Sequence, residues 1–439
     1  MADVIQTFAL HANDAPNVLV NKTMFELAER NLTTARLFKD YTLQSNMGKT
    51  LRIVRYNRVN LPLSPLVEGV PPDAVPMGFT YIDVTVEQWG IVALFSDMSR
   101  VTLTHPIMQI GMERCALAIA ELIERENCKV LMTGTNVIYG NGGVASRDLI
   151  INTGTPKTDR MTTATALAAT VSLRTKGAQP QSGQYYEGVM QPQQYGDVVG
   201  SDGVFQAASN YARVRKLEDA EIGTWMNILW VWGNFLPIFV GVAALDTAAV
   251  TTTKAKAVVA DVGGSLITGN YKLACVARDI TSDYERKISQ ASANYTVSAS
   301  ITTGSITVTA PTSVNYCYDF YLTTVGGTIL YKVVSRLAAS ASVVITTAPV
   351  GTEVTCPVPP ATGLEVFTSW VIGKDAVARV KLDGMSMQSY MSPDGPSWEN
   401  ILNQGRKLGI KMCYKAAVQE QEFMVRIETV STYAASLPA

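Results

Sequence analysis

The sequence predicts an α+β chain whose mixed α/β body carries an inserted all-β sandwich. Three observations lead there. The apolar residues alternate with period two after Leu51 and then take up a helical period after His105. Mixed helix and strand signals follow up to about residue 250 and return at Leu364. Between Ala291 and Val350 only Asp319, Lys332 and Arg336 are charged, and short strand-like runs recur there with turn signals between them.

Residues 14–45 read as a polar arm with one helical stretch, Thr23 to Phe38, whose apolar face is Leu27, Ala28, Leu32, Ala35 and Leu37. In the strand that follows, Leu51, Ile53, Arg55 and Asn57 face one way, and Arg52, Val54, Tyr56 and Arg58 the other. A second strand is expected from Thr80 to Phe95, where Ile82, Val84 and Val86 alternate with Asp83, Thr85 and Glu87. Between the two lies a stiff tip containing Pro62, Pro65, Pro71, Pro72 and Pro76. A two-stranded ribbon alone is marginal in water. It has to lie on the rest of the chain or on a neighbouring molecule. Arg52, Arg55 and Arg58 on its first strand and Glu68 at its tip are the candidate inter-subunit contacts; the same charges would equally guard an exposed strand against edge pairing.

Thr104-His105-Pro106 opens a helix that runs to about Gly134, with Thr104 placed to cap it. At ~1.5 Å per residue it would span roughly 45 Å, the length of a strut. A Gly/Asn/Thr-rich connection over 135–160 precedes a helix from Thr162 to Arg174. A strand from Tyr185 to Met190, a short helix from Pro192 to Gly200 and a strand from Thr224 to Trp232 come next, proline being tolerated at a first helical position. The uncharged run Met226–Leu245 is about long enough to span a bilayer. Asn227, Gly233, Asn234 and Pro237 interrupt it, so it reads as strand, turn and strand. In the sandwich segment, strands are expected at Tyr271–Arg278, Tyr295–Ile301, Ser305–Ala310, Tyr316–Thr323, Thr328–Ser335 and Val343–Thr347. Strands at Glu365–Ile372, Ile410–Ala417 and Phe423–Glu428 complete the body.

At 439 residues the chain exceeds what one core holds. Only 17% of it is charged, against roughly 25% in an average soluble domain, which suggests that much of its surface is covered by something else. The 36 basic and 37 acidic residues leave a net charge of −1, against a protein whose main work is gripping nucleic acid. With His11 and His105 the only histidines, most histidine catalysis and zinc chemistry are removed. Six cysteines with no CxxC pair read as buried free thiols, a disulfide among Cys275, Cys317 and Cys356 remaining open. Met1–Asn13 lacks the pattern of a signal peptide. Gly48-Lys49-Thr50 imitates the end of a P-loop, but Leu43 stands where that loop needs glycine, and a strand follows instead of a helix. Gly140-Asn141-Gly142-Gly143 fits no dinucleotide fingerprint. No catalytic, cofactor-binding or metal-ligating residue is expected, and no enzyme.

Four phrases carry a family resemblance. One opens the ribbon, Gly48-Lys49-Thr50-Leu51-Arg52-Ile53-Val54-Arg55-Tyr56. One closes its tip, Leu66-Val67-Glu68-Gly69-Val70-Pro71-Pro72-Asp73. A third is Glu221-Ile222-Gly223-Thr224-Trp225-Met226. The last is Ser397-Trp398-Glu399-Asn400-Ile401-Leu402-Asn403-Gln404, followed by Phe423-Met424-Val425-Arg426-Ile427-Glu428. In this order the chain resembles tailed-bacteriophage major capsid proteins of the HK-ninety-seven-like fold, in particular the podovirus-type group. The resemblance implies an N-terminal arm over 1–45 and an E-loop over 46–96. It implies a spine helix with peripheral and axial domains over 97–249, an immunoglobulin-like insertion over 250–363, and a return to axial and peripheral domains over 364–439. It further implies self-assembly into hexamers and pentamers, with scaffolding, portal and decoration proteins as further partners. Packaged DNA would touch the inner face non-specifically, and no membrane is involved. The alternatives are a surface adhesin with a β-sandwich ligand-binding domain and, after it, a cytosolic enzyme with a β-sandwich appendage.

Overall fold

A computed structural model describes residues 33–56, 76–98, 107–201 (without 152, 155 and 182), 221–245, 250–298 (without 252 and 253), 302–383, 387–391 and 404–434, together with Val59, Leu61 and Pro65. Outside them lie most of the expected arm helix, Arg58, Glu68, most of the ribbon tip, the Thr104 cap and nearly all of the Ser397–Gln404 phrase. The described chain forms two compact units: one takes in Phe38–Glu126 and Val377–Gln419, the other the residues up to Leu37, Asn127–Ala376 and those from Glu420 onward.

The first unit is built on the long strand Gly405–Val418, in which Leu408, Ile410, Met412 and Tyr414 are buried on one face. Along one edge it takes Glu87–Ser96 antiparallel, from Tyr414 opposite Glu87 to Gly405 opposite Ser96. Along the other it takes Val377–Leu382 and Gln388–Met391. Lys39–Leu43 adds a fifth strand parallel to Val377–Leu382. Helix α1, Ile107–Met132, packs its Gly111 directly on the ring of Phe95; a side chain there would collide with that ring.

The ribbon pairs Thr50–Tyr56 with Phe79–Thr85, in register from Thr50 opposite Thr85 to Tyr56 opposite Phe79. The single strand expected over Thr80–Phe95 is two strands. The chain turns at Val86, whose N–H donates to the carbonyl of Lys49 (2.9 Å), and then leaves the ribbon for the five-stranded sheet. The alternation runs unbroken through the turn, so the period does not mark the change of partner.

The second unit holds an 11-stranded sheet. Glu365–Ile372 lies at its middle, with Met424–Thr429 along one edge and Ile238–Val242 and Tyr186–Met190 along the other. Helix α2, Thr163–Thr175, starts one residue later than expected, because Thr162 caps it: its Oγ accepts the N–H of Thr165 at 3.3 Å. Its Ala166, Ala169 and Leu173 pack with Tyr186, Trp230 and Val371. Helix α3, Pro192–Ser201, starts at the expected proline. The strand expected over Thr224–Trp232 is a hairpin. Met226 and Asn227 both take positive φ, 53° and 62°, the geometry of a two-residue turn that suits twisted strands. The apolar run to Leu245 is strand, turn and strand, and among the described residues no helix is long and apolar enough to cross a membrane. All six cysteines are free, so Cys275, Cys317 and Cys356 form no disulfide.

The segment from 250 onward forms two β layers. Lys256–Ala260, Ser305–Thr309 and Ser342–Ile345 make a three-stranded sheet. Its Ala257, Ile306, Val308 and Ile345 share one core with Leu273, Cys275, Phe320 and Leu322 of the facing strands. That facing layer does not close on itself. Glu285–Ser289 runs parallel to Ile238–Val242, with Lys287 opposite Val240, and so joins the layer to the central sheet. Gly241 allows the close approach that follows: a side chain there would strike the carbonyls of Pro360 and Ala361.

Candidate assembly surface

Residues directly opposite in an antiparallel pair share a face. One face of the ribbon therefore carries Leu51 with Val84 and Ile53 with Ile82, which pack with Leu43 and Val380 of the five-stranded sheet. The other carries three successive pairs: Arg52 with Asp83, Val54 with Tyr81, and Tyr56 with Phe79. Arg52 donates from Nε and Nη2 to the two carboxylate oxygens of Asp83, each at 2.7 Å. Its guanidinium also lies 4.1 Å from the centroid of the Tyr81 ring. The hydrogen bonds from Arg52 hold the Asp83 carboxyl below its ordinary range. Thr50 and Thr85 hydroxyls meet at 2.9 Å at the base of the same face.

Beyond the ion pair the described part of the face is apolar and open. Tyr56 is 69% exposed, Phe79 59% and Tyr81 53%, and Val54 lies among them. Isolated exposed apolar side chains are ordinary; four in two adjacent cross-strand pairs make a contiguous patch of the kind that marks an interaction surface. Two further surfaces share this character. On the five-stranded sheet, Val92 and Tyr390 are exposed, flanked by Lys407 and Lys411, with the Lys411 ammonium 5.6 Å from the Tyr390 ring. On helix α2, Ala164, Leu167, Ala168 and Val171 form an exposed apolar stripe opposite the buried one.

Of the four residues the sequence singled out, Arg52 spends its charge inside the ribbon. Arg55 lies exposed opposite Thr80 on the other face, and Arg58 and Glu68 are outside the described residues. Sequence reasoning passed over Val54, Tyr56, Phe79 and Tyr81. The signal was present: beyond Ile53 the strand carries large apolar side chains on the face it shares with Arg52.

Two buried carboxylates, Glu428 and Asp319, are committed to structure. Glu428 is fully buried and holds Arg147 by two bonds of 2.6 and 2.7 Å and Arg426 at 2.9 Å. Asp319 holds Arg278 and Lys332, each at 2.6 Å. Burial pushes the Cys356 thiol up to about 12, which keeps it protonated at neutral pH. Among the described residues no group of three histidine, cysteine or acidic side chains is placed to hold a metal ion.

No protein-family model matches the chain, and no curated protein matches it. Solved structures do. The capsid of the cyanophage P-SCSP1u aligns over 96% of this chain and 94% of that one, with a TM-score of 0.52 and 11% identity. The capsid of Ralstonia phage GP4 aligns over 96% and 98%, with a TM-score of 0.51 and 12% identity. At such identities the likeness is one of fold: the chain has the fold of these capsid proteins over nearly its whole length.

Proposed function

We propose that this chain, which has a tailed-phage capsid fold, is a major capsid protein whose copies assemble into hexamers and pentamers of an icosahedral shell around double-stranded DNA. The observation that carries this reading is the end-to-end agreement with two phage capsid chains, covering 94% and 98% of their length. We read the HK-ninety-seven-like parts onto this fold: ribbon as E-loop, α1 as spine helix, and the two-layered segment over 250–363 as an immunoglobulin-like elaboration.

The mechanism is structural. Each ribbon would lay its Val54, Tyr56, Phe79 and Tyr81 face on an adjacent copy. Burying such a side chain contributes about 1.5–3 kcal/mol, less the cost of ordering the partners. One contact is therefore modest, and closure of a symmetric ring multiplies it. The low charge of the chain suits surfaces that are wet in a single copy and buried in the shell. Scaffolding, portal and decoration proteins are the further partners of this reading. DNA would meet the inner face through non-specific contacts, and the place of the protein is the virion, after assembly in the host cytoplasm.

Sedimentation velocity of the purified chain, alone and with co-expressed scaffold candidates, tests the proposal. Assembly predicts species far heavier than the 47.4 kDa chain. A chain that sediments as a monomer under all these conditions contradicts it.

A further inference from the structure

Strand Glu285–Ser289 carries a bulge. Ala277 stands opposite Lys287 and Arg278 opposite Glu285, which leaves Arg286 as the extra residue. Bulges re-aim side chains, and this one turns Arg286 into a recess of about 410 Å³ beside Tyr316. The neighbouring cations are all paired: Arg278 with Glu285 and Asp319, Lys332 with Asp319, and Lys129 and Arg336 with Asp283, at 2.6–2.9 Å. Arg286 and Lys287 are different. Neither side chain makes an ion pair or hydrogen bond with another described residue. Burial lowers the pKa of Lys287, and the adjacent Arg286 lowers it further. Two cations side by side thus have no ion-pair partner among the described residues.

The recess is preformed. Its two loops are tied by the N–H of Ile280 donating to the carbonyl of Asn315 at 3.2 Å. Asp279, the one carboxylate in its wall, accepts the N–H groups of Thr281 (2.7 Å) and Ser282 (3.1 Å) through Oδ1; it keeps its charge but makes no ion pair with Arg286. The Lys287 ammonium lies 4.8 Å from the Tyr316 ring centroid, so that ring is already covered and offers no open platform to a sugar. The rim is apolar instead: Ile280 is 61% exposed and Val314 74%.

We propose that this recess docks a protein segment presenting a carboxylate between apolar side chains, the carboxylate pairing with the fork of Arg286 and the apolar neighbours covering Ile280 and Val314. A planar guanidinium matches a single carboxylate in two parallel bonds. An arginine anchor within an apolar rim is also the common anatomy of a protein–protein hot spot. The inference does not rest on the shell reading.

Saturation-transfer NMR on the full-length chain tests it, with acetyl-Val-Glu-Val-amide as probe at millimolar concentration. The Glu peptide should bind, and acetyl-Val-Gln-Val-amide should bind about tenfold or more weakly. Arg286→Gln should weaken the Glu peptide to the same degree while leaving thermal melting unchanged, and Ile280→Ser should weaken it too. No binding of the Glu peptide, equal binding of the Gln peptide, or full binding to Arg286→Gln overturns the proposal. So does displacement by equimolar sulfate, which would mark a simple anion site, or tighter binding of sialyllactose, which would mark a sugar site.

Discussion

Arg52 grips Asp83 across the ribbon through two hydrogen bonds of 2.7 Å, with its guanidinium 4.1 Å from the Tyr81 ring. The three side chains share one face, and the ion pair stands next to the apolar pairs that continue the row. Both charged partners are exposed, so the pair adds little to folding. Its expected effect is to fix the side chains beside the patch rather than to stabilise the fold. Arg52→Gln and Asp83→Asn should leave the melting temperature unchanged and lower the yield of sedimentable particles. The exchange Arg52→Asp with Asp83→Arg should restore that yield. Single variants that assemble like the parent protein would remove this role.

Phe79 and Tyr81 contribute no core. The double variant Phe79→Ser, Tyr81→Ser should therefore fold with an unchanged circular dichroism melt. Assembly should fall more than tenfold, since each lost burial is worth about 1.5–3 kcal/mol. Normal assembly would show that the patch faces solvent in the shell.

Glu428 presents the opposite case. It has no solvent exposure and neutralises the guanidinium groups of Arg147 and Arg426. Glu428→Gln leaves two buried cations short of their counter-charge, and losses of about 3–5 kcal/mol are usual when one member of a buried pair is removed. Guanidinium chloride unfolding should show a loss of that size; a loss below about 1 kcal/mol would contradict the burial argument.

Asp283 and Asp319 set an acid limit. Burial alone would raise both carboxyls, but Lys129 acting on Asp283, and Arg278 with Lys332 acting on Asp319, bring them below their ordinary range. A carboxyl with a lower pKa in the folded state stabilises the fold above its unfolded value, about 3.9, and loses that contribution as pH falls through the folded value. The difference in stability between the parent protein and Asp319→Asn should be full at pH 7 and shrink below about pH 4. A difference that grows on acidification would reverse the sign of the coupling.

Much of the local structure was legible. Helix α2, expected over Thr162–Arg174, runs Thr163–Thr175 behind its Thr162 cap, and the strands Tyr316–Thr323 and Glu365–Ile372 lie where alternation and turn residues put them. These signals are local. What escaped depends on partners distant in sequence. Lys39–Leu43 and Val377–Leu382 are short and charged; they become strands by pairing with each other, with Asp40 bonded to Arg379, and, for Val377–Leu382, with Gly405–Val418 on its other edge. The junction of Glu285–Ser289 with Ile238–Val242, which makes the late segment continuous with the central sheet, is likewise a matter of register that no period reveals. At the candidate site the charges drew attention first. The contact-forming potential lies in the aromatic pairs beside them, and only the observed register shows that these share one face.

Single-particle electron microscopy of material assembled from the purified chain, with scaffold candidates and crowding agents included, tests the central claim most directly. The expected images are closed shells with five-fold and six-fold rings of copies, each ribbon lying across its neighbour. Only isolated 47.4 kDa chains under every condition would contradict a shell-forming protein.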